Sequence, residues 1–149
     1  MIVMKFGGTS VANFEAITRT IFIIAGKLDQ KPVVVVSALS KITDLLYSIS
    51  DAALSQNIEA TNEHLSQLRK RHVDLTEELL AQSVLKDEAV VKVNELCDKL
   101  DEIAHAVCSL GELSDKNKAV IISMGEYLSS TIIAYAMNAK GIRTKWVDS

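Results

Sequence analysis

The chain has 149 residues, 48% of them hydrophobic and 23% charged, with a formal net charge of −3. That composition suffices to bury one core and excludes a disordered chain. The acidic balance, with a pI of ≈ 5.6, excludes a general nucleic-acid surface, which needs clustered excess Lys and Arg.

The one dense basic cluster, Arg69-Lys70-Arg71, is flanked by Glu63 and Glu77-Glu78 and is expected on a solvated helix face. Cys97 and Cys108 are the only cysteines. They fall about three helical turns, roughly 16 Å, apart, beyond the reach of a disulfide, and read as small buried hydrophobes in a reducing compartment. His64, His72 and His105 share no metal-ligand spacing, so no metal site is expected from them. No signal peptide precedes the first strand and no apolar run approaches about 18 residues. The expectation is a soluble, cytoplasmic protein with no membrane partner.

In chain order, Ile2 to Phe6 is a short apolar strand interrupted by Lys5, and Gly7-Gly8 breaks it before an amphipathic run that starts near Val11. Paired glycines permit φ > 0 and close approach of backbone to a ligand. Thr9, Ser10 and the helix start would aim N–H groups and the positive end of a helix dipole at the same spot, where Lys5 adds a full charge. Neither a Walker A string nor G-x-G-x-x-G occurs. Taken alone, the stretch fits equally well an ordinary strand-to-helix turn with Lys5 solvated.

Val11, Phe14, Ile17, Ile21, Ile24, Ala25 and Leu28 predict a helix with one apolar face, capped by Asn13 or Ser10. Asp29-Gln30-Lys31 is a turn, and Pro32 opens a strand. Val33 to Val36 lack alternation, which predicts burial on both faces inside a parallel sheet. The first 36 residues thus form a βαβ unit. Ser37 to Thr43 then lead into a helix from about Ile42 to Gln56. This loop and the Gly7-Gly8 loop can face one crevice at the carboxyl ends of the strands, although Ser40 or Thr43 could simply cap the helix.

From about Ala60 to Leu110 two narrow apolar seams predict an antiparallel helical hairpin, read as scaffold or subunit contact. Ser114-Asp115 caps a further helix through Ile122, Gly125 is expected to interrupt it, and Glu126 to Lys140 resumes it. Gly141 caps its end, and Arg143 to Asp148 alternates like a strand. The order predicts α/β class: a three-layer α/β/α arrangement with a mainly parallel sheet and an inserted helical pair.

The string K-F-G-G-T-S-V at Lys5 to Val11 closely resembles the opening signature of aspartokinases, members of the amino-acid kinase family. V-V-V-V-S-A-L-S-K-I-T at Val33 to Thr43 and S-M-G-E-Y-L-S at Ser123 to Ser129 resemble further family motifs, in the same order. Leu39 and Lys41 depart from the smaller residues usual there. The resemblance implies the carbamate/amino-acid kinase-like fold, spanning 1–149 as the incomplete N-terminal portion of the domain. It implies transfer of the γ-phosphoryl group of ATP, with Mg2+, to the side-chain carboxylate of L-aspartate, the first step of lysine, threonine, methionine and isoleucine biosynthesis. By resemblance, Lys5 stabilises the transferred phosphoryl group, and Gly7, Gly8, Thr9 and Ser10 donate to it. Ser37, Thr43 and Glu126 belong to the amino-acid side, Glu126 meeting the α-ammonium group.

Family members continue into a second half carrying most of the ATP site, so the resemblance implies a fragment inactive alone and expected to self-associate as a homo-oligomer. A monofunctional parent and one joined to homoserine dehydrogenase remain equally open. The rival readings are another amino-acid kinase and a non-catalytic α/β protein for binding or assembly.

Overall fold

The computed structural model describes residues 1–148. Two parallel strands, β1 (Ile2–Phe6) and β2 (Pro32–Val36), pair from Ile2 opposite Pro32 to Phe6 opposite Val36. The Ser37 N–H extends the ladder by donating to Phe6 O at 3.0 Å. Helix α1 (Phe14–Ala25) makes the crossover between them. The Asn13 side chain caps it, accepting from the Ala16 N–H at 2.9 Å. The predicted βαβ unit is present, and near its expected turn at Asp29-Gln30-Lys31 the chain forms a 3-10 turn over Leu28–Gln30.

The valine run of β2 is not buried on both faces, contrary to its pattern. Met4, Phe6, Val34 and Val36 pack against the core, while Val3, Val33 and Val35 are 69%, 47% and 44% exposed. Among the described residues the sheet has only two strands. Its β-branched residues therefore alternate in burial like those of any strand covered on one side.

Helix α2 (Ile42–Leu54) follows, and α3 (Ile58–Leu79) and α4 (Lys86–Leu110) form the hairpin. Their antiparallel course is fixed at two levels, His105 against Asn62 at 2.7 Å and Arg69 against Asp98 at 2.7 Å. The hairpin shares one core with the α/β part. Leu68, Val93 and Leu100 join Ile17, Ile42, Leu46 and Leu128 in a single cluster. Each such side chain taken from water contributes about 1.5–3 kcal/mol. Gly111 ends α4 with φ +68, and both cysteines are free and buried.

The last helix, α5 (Asp115–Ala139), is continuous, so the expected break at Gly125 does not occur. Gly125 instead permits close helix contact: a Cβ there would lie 2.7 Å from Ala38 Cβ and 3.1 Å from Leu46 Cδ1. Helix α5 is apolar enough to cross a bilayer by composition, but 61% of that stretch is buried inside the fold. It is the central core helix of this domain. Gly141 (φ +78) stops it as predicted.

The expected strand over Arg143 to Asp148 is absent, because the segment meets no strand partner. It straps back over α5 through side chains. Asn138 exchanges hydrogen bonds with Thr144, the Trp146 Nε1–H donates to Ser130 Oγ at 2.8 Å, and the Tyr127 hydroxyl donates to Asp148.

Candidate active site

The three stretches that resemble family motifs meet around one small residue, Ala38. Gly8 packs so closely on the loop after β2 that a Cβ would stand 3.2 Å from Ala38 O, and Gly125 of α5 abuts Ala38 Cβ. Ser129 Oγ, one turn beyond Glu126, donates to Ser37 O at 2.8 Å. The carboxyl ends of β1 and β2 and the middle of α5 are thereby fixed to one another, at the edge where open α/β sheets bind ligands.

The glycine pair works differently from the expectation. Neither Gly7 nor Gly8 has positive φ. Gly7 is extended (φ −77, ψ 174), and a Cβ there would meet nothing within 4 Å. Gly8 is small because Ala38 O leaves no room for more. A short 3-10 turn, Gly8–Val11, precedes α1, so the long helix does not start at the glycines. Its first hydrogen bond runs from the Ser10 N–H to Gly7 O at 2.9 Å. The N–H groups of Gly8 and Thr9 lie ahead of that ladder, where a helical turn leaves its first donors unused. Thr20 Oγ1 donates to Ser10 O at 2.7 Å and ties the turn to α1.

Lys5 is exposed, shares the open face of the sheet with Val3, Val33 and Val35, and forms no ion pair among the described residues. Thr9 is exposed; Ser10, Ser37 and Thr43 are half-buried. Thr43 lies in the first turn of α2, two residues after Lys41, whose φ of +67 is left-handed. For a lysine that conformation costs about 1–2 kcal/mol. The alternative reading, Ser40 or Thr43 as the cap of α2, is not met: Lys41 is the N-cap and no side chain caps the helix. Glu126 is exposed on α5, its carboxylate without a hydrogen-bond partner among the described residues. It lines a groove of about 680 Å3 between β2, α5 and the strap at 142–148.

Among the described residues no group of His, Cys, Asp or Glu side chains is placed to hold a metal. Mg2+ in phosphoryl transfer is held largely through substrate phosphates, and the described carboxylates offer it no dedicated cage.

The basic triplet is a solvated face only at Lys70, which is exposed. The Arg69 guanidinium donates to Asp98 and Asp101, each at 2.7 Å, and to Asn94 at 2.8 Å, clasping α3 to α4. Lys70 pairs with Asp74 one turn on. Arg71 is half-buried and donates to Ser40 O at 2.6 Å and, at 3.4 Å, to Ala12 O. The signal was available in the spacing. Arg71 stands three residues after Leu68 and four before Leu75, on the buried seam of α3.

The amino acid kinase family profile matches residues 1–149. The chain is 29% identical to aspartokinase 3, chloroplastic, of Arabidopsis thaliana, over 99% of its own length and 25% of that protein. It is 26% identical to a bifunctional aspartokinase/homoserine dehydrogenase 1 of the same plant, covering 99% of the chain and 16% of the relative. Among solved structures, E. coli aspartokinase III in complex with aspartate and ADP superposes with a TM-score of 0.78 at 26% identity, covering 99% of this chain and 31% of that one. The chain thus spans about a quarter of the length of that aspartokinase 3. With a full-length family match, the β1 turn, the Ala38 loop and α5 gathered at one edge, and a fold shared with these structures, the chain belongs to the amino acid kinase family.

Proposed function

We propose that this chain is the amino-terminal part of an aspartokinase, whose whole form transfers the γ-phosphoryl group of MgATP to the side-chain carboxylate of L-aspartate. The observation that supports this best is the meeting of the glycine turn, the Ser37–Thr43 loop and the Glu126 turn at Ala38, with an unpaired Lys5 where β1 enters.

Phosphoryl transfer depends on alignment and on neutralising charge as it develops. Lys5 supplies a mobile cation at the end of β1, and the open space at Gly7 with the N–H groups of Gly8 and Thr9 receives phosphate oxygens, assisted by the Ser10 hydroxyl. Glu126 pairs with the substrate ammonium group, and Ser37 and Thr43 orient the amino acid. Mg2+ would be held through the nucleotide phosphates and would supply charge neutralisation there, with no described carboxylate assigned to it. The protein acts in the cytoplasm as a homo-oligomer.

The test is acyl phosphate formation by the full-length protein carrying this chain, trapped as hydroxamate, with aspartate, glutamate and carbamate as acceptors. Aspartate-dependent trapping that is lost in Lys5→Ala supports the reading. Turnover on another acceptor and none on aspartate rejects it.

A further inference from the structure

We propose that Arg71 is a positioning residue: it holds the peptide between Ser40 and Lys41 in the orientation that the left-handed Lys41 requires, and thereby fixes Thr43 and the start of α2. Its functional consequence rests on the aspartate site proposed above; its structural content does not.

The positive φ of Lys41 (+67) turns the peptide unit that precedes it, and the carbonyl oxygen of that same unit is Ser40 O. Arg71 Nη1 donates to this oxygen at 2.6 Å. The other arm of the guanidinium points at Ala12 O, 3.4 Å away, where the glycine turn hands over to α1. One side chain of the helical hairpin therefore touches both loops at the carboxyl ends of the strands. A planar fork can span two carbonyls in this way, whereas a lysine ammonium acts as a single point.

Arg71 has no carboxylate in ion-pair reach among the described residues, unlike Arg69 and Lys70 beside it. Burial makes its protonated form less favourable than usual. A long, flexible cation could swing into water to escape that cost; here it is held inward by the carbonyls, so the contact is a specific one. Ile42 N–H donates to Leu39 O at 3.0 Å and Leu45 N–H to Lys41 O at 3.2 Å, so a flipped Ser40–Lys41 peptide would loosen the first turn of α2. Thr43 lies within that turn.

The experiment compares the full-length protein with Arg71→Met, Arg71→Lys and Arg71→Met combined with Lys41→Gly, by amide hydrogen exchange and by kinetics. In Arg71→Met the amides of Ile42 to Leu45 should exchange about tenfold faster while those of α4 keep their protection. The aspartate KM should rise about tenfold with the ATP KM within about twofold. Arg71→Lys should recover only part of this. Lys41→Gly should restore much of the loss, because glycine adopts positive φ without strain. Unchanged exchange at Ile42 to Leu45 overturns the proposal, as does an exchange defect spread evenly through α4 or a failure of Lys41→Gly to restore anything. A parent protein inactive on aspartate would sink the aspartokinase reading, while the exchange measurement would still decide the role of Arg71.

Discussion

Replacing Gly125 by Ala probes the contact at which the motif-bearing stretches meet. In an exposed helix interior this change stabilises by about 0.5–1 kcal/mol, because glycine loses more backbone freedom on folding. Here the added methyl would sit 2.7 Å from Ala38 Cβ and 3.1 Å from Leu46 Cδ1. The leucine tip can rotate away, but Ala38 is 3% exposed and anchored by its loop, so α5 itself must move. Overpacking of this kind costs about 1–3 kcal/mol. The net effect is destabilisation by roughly 1 kcal/mol, or about 2–4 °C in Tm for a chain of this size. Thermal unfolding followed by far-UV circular dichroism reads it directly. Ala38→Gly removes the opposing methyl, so the double variant should recover most of the loss, a positive coupling in a double-mutant cycle. If Gly125→Ala were as stable as the parent, or if Ala38→Gly gave no recovery, the tight α2–α5 approach would be wrong.

Burial pushes His72 down to about 4, partly opposed by its bond to Leu68 O and reinforced by the charge of Arg71. Its Nδ1–H donates to Leu68 O at 2.7 Å and its Nε2 is buried without a partner. The folded state thus prefers neutral imidazole. The associated stability is fully present above the ordinary pKa of 6.5, and about 3 kcal/mol of it is lost as pH falls from there through about 4. Denaturant titrations of parent and His72→Leu across that range should show the difference shrinking in acid; a constant difference would refute it. Arg69→Met should destabilise by about 1 kcal/mol and lessen the parent's salt sensitivity, since its partners are partly exposed. Equal salt slopes would show that the clasp is unimportant. Gly8→Ala should cost about 1 kcal/mol by driving a methyl toward the rigid Ala38 carbonyl, 3.2 Å away. Undiminished stability would mean that the two loops part freely.

The elements themselves were written in local pattern. Asn13 and Ser114 cap where predicted, the seams of α3 and α4 bury Leu65, Leu68, Val93 and Leu100, and Gly111 and Gly141 terminate helices in positive φ. What the pattern could not carry was the identity of each residue's neighbours. Gly125 looked like a helix break because its true reason, Ala38, lies far away in sequence. The valines of β2 looked buried on both sides because β-branched residues suit either a half-covered or a fully covered strand. The Arg143–Asp148 run alternates, yet a strand exists only where another strand pairs with it. Lys41 holds positive φ without being glycine, and only the tertiary contact with Arg71 shows what secures it. Of the candidate site, the motif stretches meet at Ala38, and Gly8 is small because it packs against Ala38 O, a neighbour the local pattern could not reveal.

The central proposal is a division of labour, with Lys5 acting on the moving phosphoryl group and Glu126 on the amino acid. Steady-state kinetics of Lys5→Met and Glu126→Gln in the full-length protein test it most directly. Lys5→Met should lower kcat by about a hundredfold or more with the aspartate KM little changed, as loss of a transition-state interaction requires. Glu126→Gln should chiefly raise the aspartate KM, by about tenfold or more, and leave that for ATP alone. Both variants weakening ATP alone, or neither departing from the parent, would contradict the account.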